Sequence, residues 1–123
     1  MSNKKQLNIK NMPIEPCSFE PLTGFYRNGC CDTGENDQGM HTVCVILTEE
    51  FLEFSKNVGN DLSTAIPELD FPGLLPGQKW CLCAKRWLEA YNSGLAPPII
   101  AESTNIKTLE IIDIDIINQY TLN

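Results

Sequence analysis

The stretch that decides the fold runs His41-Thr42-Val43-Cys44-Val45-Ile46-Leu47-Thr48-Glu49-Glu50-Phe51-Leu52-Glu53-Phe54-Ser55-Lys56-Asn57-Val58-Gly59. Thr42 to Leu47 is apolar and β-branched, the pattern of a buried strand. Thr48 then supplies a helix N-cap, and Glu49 and Glu50 fall in the first turn, where the helix dipole favours them. Leu47 and Leu52 have the spacing of a hydrophobic staple. Phe51, Leu52, Ser55 and Val58 share one face, and Gly59 is a left-handed stop. The reading is strand 43–47 followed by helix 49–58.

Working outward, Trp80, Cys83, Ala84, Trp87, Leu88 and Tyr91 fall on one helical face, with Gly94 as the stop, so a second helix is expected over 81–92. Pro97-Pro98 bars its continuation. Strands are expected at 99–102 and 110–112, and Asp113 can cap a short C-terminal helix over 114–120. Two amphipathic helices need an apolar surface to cover. The expected fold is therefore α+β, a small sheet of about three to four short strands packed on two main helices.

The 123 residues suit one domain, expected over 7–123, with 1–6 as a disordered tail. Two long connections, 12–41 and 60–79, are rich in glycine and proline. A loop as long as the first is unusual in a compact domain and is often functional.

The net charge is −7, and only nine lysines and arginines are present. Phosphate neutralisation needs basic patches, so neither a nucleic acid nor an anionic membrane is expected as partner. The N-terminus has no apolar segment of a leader type, and the expected compartment is the cytoplasm. There the six cysteines, Cys17, Cys30, Cys31, Cys44, Cys81 and Cys83, are expected to stay reduced, with no disulfide required for folding.

No phosphate loop, dinucleotide fingerprint, nucleophile elbow or zincin motif is present, so no nucleotide cofactor is expected. The chemistry available lies on the loop feeding the strand. The catalytic candidates are Cys31, His41, Asp37 and Arg27. His41 is the one histidine of the chain. Cys30, Cys44, Asp61 and Arg86 are candidates for binding. Cys30, Cys31, His41 and Cys44 are the ligand set for a zinc ion, although no pair has the C-x2-C spacing that marks structural zinc. Cys83, on the apolar face of the expected helix, is read as inert. Against each stands a plain alternative: buried packing for the cysteines, a loop-tying hydrogen bond for His41, a surface charge for Arg86 and a local turn at Asp61.

Several runs resemble one family. They include Pro21-Leu22-Thr23-Gly24-Phe25-Tyr26-Arg27-Asn28-Gly29-Cys30-Cys31, His41-Thr42-Val43-Cys44, Gly59-Asn60-Asp61-Leu62-Ser63-Thr64, Phe71-Pro72-Gly73-Leu74, Trp80-Cys81-Leu82-Cys83-Ala84 and Ala96-Pro97-Pro98. The family is the domain of unknown function 2237, and the resemblance spans about residues 7–120. It implies one complete domain and draws attention to Arg27, Gly29, Cys31, Asp37, His41 and Cys44, but brings no mechanism. This chain departs from the family's pattern in one place: after the segment matching 99–102 a histidine is the family's residue, and here Asn105 stands. A scheme that needs two histidines does not carry over, because an amide cannot shuttle protons near neutral pH.

Three classes of function follow. The first is a small soluble cytosolic binding or scaffold domain with no chemistry, which the unspecific cysteine spacing fits best. The second is a thiol-based enzyme or redox-sensing site on loop 24–44. The third is a Cys/His metal-binding module.

Overall fold

The computed structural model describes residues 6–122. The architecture is α+β. Strand β1 (His41–Ile46) leads to helix α1 (Glu49–Asn57). Strand β2 (Lys79–Cys83) leads to helix α2 (Ala84–Asn92), and helix α3 (Ile114–Tyr120) closes the chain. The expected strand-to-helix step at 42–59 is present. Thr48 Oγ1 accepts from Phe51 N at 3.1 Å, and Gly59, with φ +92°, follows the helix. Phe51, Leu52 and Ser55 are the buried face of α1.

The sheet has two strands, β1 and β2, paired antiparallel, fewer than expected. The strand expected at 99–102 contributes only isolated bridges, Ile99 to Val45 along the free edge of β1 and Ile99 to Thr121. Ile46 N donates to Pro98 O at 3.0 Å and Ile100 N to Cys44 O at 2.8 Å. The ladder extends no further. Pro97 and Pro98 have no N–H to give, and Thr104 Oγ1 donates to Ile100 O at 2.8 Å as the chain turns through the 3-10 segment Ala101–Ser103. The strand expected at 110–112 is also absent. Asn105 caps a 3-10 turn over Ile106–Glu110 instead, its side chain accepting from Lys107 N at 2.9 Å.

Helix α2 begins at Ala84 rather than at 81. The run Trp80-Cys81-Leu82 is buried at every position, as a strand covered on both faces is. Its match to a helical period was the ambiguity inherent in short apolar runs. From Ala84 onward the expected face holds, and Ala84, Trp87 and Ala90 are buried.

The main core lies between the helices and one face of the ribbon, where Val43, Val45, Trp80 and Leu82 meet Phe51, Trp87 and Ile117. Trp87 is fully buried and organises the C-terminal half. Its indole donates to Pro97 O at 3.0 Å, and its ring packs on Tyr91 and edge-on against Tyr120 of α3. Gln6, expected in the tail, is held in the fold. Its side chain donates to Thr33 O at 3.0 Å and accepts from Asn105 Nδ2 at 2.7 Å. The expectation of a disordered tail otherwise concerns residues 1–5, which lie outside the described residues. Among the described residues no helix is long and apolar enough to cross a membrane.

Truncating Trp87 removes the common neighbour of α2, α3 and the proline turn. Trp87→Ala is expected to destabilise the chain by about 3–5 kcal/mol, and Thr48→Ala by about 1 kcal/mol through loss of the cap. Urea unfolding of both variants checks the order. Equal effects would contradict this account of the core.

Candidate functional site

The site begins with a parity change in the ribbon. Cys44 stands opposite Cys81, and Val43 opposite Leu82, but His41 rather than Thr42 stands opposite Cys83. The extra residue of this bulge moves His41 to the other face of β1. Cys81 and Cys83, two apart on a strand, share a face. His41 therefore projects on the face of Cys81 and Cys83. Directly opposed residues of an antiparallel pair have Cβ atoms about 4.5–5.5 Å apart.

The bend that delivers His41 is built by Asp37-Gln38-Gly39-Met40. Met40 takes a positive φ of +49°, and Thr42 N donates to Met40 O at 2.8 Å. Asp37 reaches back across this bend. Its Oδ2 accepts from His41 N at 2.9 Å and from Thr33 Oγ1 at 3.0 Å, and its Oδ1 lies 2.6 Å from His41 Nδ1. The Asp37 side chain is fully buried, whereas that of His41 is 40% exposed. A buried carboxylate needs donors for its oxygens, and this one has three. Because a carboxylate only accepts, the bond fixes the proton on Nδ1 of the neutral ring and leaves Nε2 with the lone pair.

His41 lines a cleft of about 700 Å³ whose other walls include Phe25, Arg27, Asp61, Trp80, Cys83 and Arg86. The rings of Phe25 and His41 are stacked with centroids 6.1 Å apart. Arg27 adopts φ +54°, donates to Gly24 O at 2.6 Å and lies over the Trp80 ring, 5.3 Å from its centroid. Arg27, held in the left-handed region, lines the cleft, and Met40, also left-handed, immediately precedes His41; such conformations cluster where a loop is shaped for a task. Arg86 makes a half-exposed pair with Glu89 at 3.2 Å and is available to the cleft. Asp61 acts locally: it accepts from Ser63 N and from the Thr64 amide and hydroxyl. The Thr64 hydroxyl is the first cause holding its carboxyl below the usual range.

The sequence candidates divide accordingly. His41, Asp37 and Arg27 converge, with Arg86 and Asp61 on the same walls. Cys31 and Cys44 do not join them. Both are buried and form disulfides, Cys31 with Cys81 and Cys17 with Cys44, at Cα separations of 5.3 and 5.8 Å. The expectation of six free thiols is thereby corrected. Cys44 and Cys81 are adjacent in the ladder, and the long loop brings Cys17 and Cys31 against them, within bonding geometry. Cys30 is free and half-buried. Burial first, and Asp32 second, push its thiol up from the ordinary value, so it is a poor nucleophile.

Cys83, read as inert in the sequence, is the free thiol in the cleft. It is half-buried at the N-cap position of α2 and makes no capping bond. Helical periodicity hid it by assigning it to an apolar face. Strand alternation from Cys81, which puts Cys83 on the same face, was the signal that would have found it. The set Cys30, Cys31, His41 and Cys44 expected for zinc is not brought together. The sulfurs that gather are those of Cys17, Cys31 and Cys81, each within 4.8 Å of the others, with Cys44 bonded to Cys17. Asn105 is buried and donates to Gln6 Oε1 and Cys31 O at 2.7 and 3.1 Å. Together with Asp37 it borders a second hollow of about 510 Å³.

The one histidine makes the dyad directly observable. Nitrogen-correlated NMR at neutral pH is expected to show His41 as the Nδ1–H tautomer, and Asp37→Asn to lose that preference. A Cβ at Gly39 would stand 2.8 Å from His41 Cε1, so Gly39→Ala is expected to leave the fold intact and displace the ring signals. An unchanged His41 spectrum in both variants would contradict the geometry.

A search of curated proteins gives no match to the chain. The model of a family described as an uncharacterized protein conserved in bacteria (DUF2237) matches residues 7–121, nearly the whole length, and the chain belongs to that family.

Proposed function

We propose that the cleft is a thiol-nucleophile site for a small anionic electrophile, with Cys83 as nucleophile, His41 as base, Asp37 as the residue that orients it, and Arg27 and Arg86 as the anion-recognising groups. The observation that carries this reading is the 2.6 Å bond from a buried Asp37 to Nδ1 of an accessible His41, on the face of the ribbon that also bears the free thiol of Cys83. A nucleophile, a base and an orienting third group are the parts of an activated-thiol site.

In the first step the Cys83 S–H proton passes to His41 Nε2, and the sulfur forms its bond to the electrophilic carbon. The imidazolium, held by Asp37, then returns the proton to the leaving group. The N-terminus of α2 at Cys83 favours negative charge during this exchange. Cys83 and His41 share no hydrogen bond in this geometry, and catalytic hydrogen bonds commonly tighten only when substrate binds. Two arginines against one acidic side chain already engaged by Thr64 give the cleft a cationic wall on an acidic chain. Trp80 and Phe25 supply apolar surface for the remainder of the ligand. Cytoplasmic residence belongs with this proposal, because Cys83 must stay reduced to act.

The test uses two alkylating agents that differ in charge. At neutral pH limiting iodoacetamide is expected to label Cys83 before Cys30, and His41→Ala to slow that labelling by roughly tenfold or more. Iodoacetate, an anion, is expected to gain on iodoacetamide relative to their ratio on the unfolded chain, and Arg27→Ala to remove the gain. If Cys83 in the folded chain reacts no faster than in the unfolded one and ignores His41→Ala, the domain is a binding or scaffold module instead.

A further inference from the structure

At the wall of the cleft formed by Cys81 lies a cluster of sulfur. Cys17 and Cys31 come from the long loop, Cys44 from β1 and Cys81 from β2, and all four are buried. The sulfurs of Cys17, Cys31 and Cys81 lie within 4.8 Å of one another across the two pairs, and Cys44 is bonded to Cys17. Three sulfurs from the loop and β2 therefore converge, and Cys44 of β1 adjoins them through its bond to Cys17.

The backbone explains the convergence. Cys44 N donates to Thr104 Oγ1 at 3.1 Å, Cys81 N to Thr23 Oγ1 at 2.8 Å, and Cys44 O accepts from Ile100 N at 2.8 Å. The polar groups of Cys44 and the N–H of Cys81 point away from the partner strand. They form the non-hydrogen-bonded type of antiparallel pair, in which side chains stand closest. The two threonines are fully buried, so both strand ligands are held by satisfied, rigid neighbours. From the loop, Cys17 N donates to Gly29 O at 2.7 Å, which fixes Cys17 beside the turn that carries Cys31.

We propose that in its reduced state this cluster is a tetrathiolate zinc site formed by Cys17, Cys31, Cys44 and Cys81. Zinc takes four thiolates at about 2.3 Å in a tetrahedron, which sets the sulfurs about 3.8 Å apart; Cys17, Cys31 and Cys81 already lie within 4.8 Å of one another, and Cys44, released from Cys17 on reduction, turns its side chain to complete the set. Two equivalents of a dithiol reductant supply four electrons and four protons, open both disulfides and leave four thiols. One divalent zinc then displaces four protons and binds four thiolates. The buried surroundings exclude water, and soft sulfur donors select zinc over the hard divalent ions. Chain separations of 27 and 50 residues within the pairs show why no short ligand motif announces the site. Cys81 also lines the cleft, but the ligand set includes neither Cys83 nor His41, so the proposal does not depend on the cleft reading.

The full chain is reduced anaerobically, freed of reductant, loaded with zinc alone and desalted. Metal analysis is expected to find one zinc per chain. A disulfide-type thiol reagent on the folded loaded protein should then detect two thiols, Cys30 and Cys83, and six after unfolding with chelator. The double variant Cys30→Ser/Cys83→Ser should keep the zinc, and Cys31→Ser should lose it. Should Cys31→Ser fail to fold, cobalt loading of the unaltered chain decides the matter, since four thiolates give intense charge-transfer and tetrahedral ligand-field bands. A reduced chain that retains no zinc, a double variant that loses it, or cobalt bands lacking thiolate character would overturn the proposal.

Discussion

The pairing of β1 with β2, and the register at which it is made, is the constraint on which the rest of the molecule depends. The ribbon is only two strands wide. A pair this small is marginal alone and needs apolar cover. One face obtains it from the helices through Val43, Val45, Trp80 and Leu82. The opposite face carries Cys44 and Cys81 and is closed by the long loop rather than by a third layer of regular structure. The loop is thus held by sulfur and by buried threonine hydroxyls, where another fold of this class would use a strand.

The bulge between His41 and Val43 gives the ribbon its second role. A regular ladder would pair Thr42 with Cys83 and send His41 toward the helices. One extra residue reverses the parity, and the imidazole emerges beside the free thiol at the head of α2. Asp37 secures the arrangement twice, through the backbone N–H and through the ring of the same histidine. The same buried carboxylate that orients the ring also stabilises the bend that delivers it. Loss of Asp37 is accordingly a loss of geometry as well as of charge, and Gly39, which lies under the ring, is the gentler way to separate the two.

The two thiol populations have opposite surroundings. The four clustered sulfurs are within apolar walls, away from water. Cys83 is half-open and faces ionisable groups. Cys30 resembles neither: it sits by Asp32, whose charge opposes a thiolate. Chemical distinction among six cysteines follows from burial and neighbouring charge, not from spacing along the chain.

Local rules were enough for part of this. The Thr48 cap, the staple and Gly59 determine α1, and Asp113 determines α3, because capping acts over three or four residues that the sequence lists in order. The long loop and its ionisable groups, His41, Asp37 and Arg27 among them, were legible for the same reason. The boundary between β2 and α2 was not, since Trp80-Cys81-Leu82-Cys83 satisfies both periods and only cover on both faces selects the strand. The pairing of cysteines 27 and 50 residues apart, and the parity that turns His41 toward Cys83, are decided by register between segments distant in sequence. Register is an energy of the assembled ribbon, set by which faces become buried, and no window of the chain contains it.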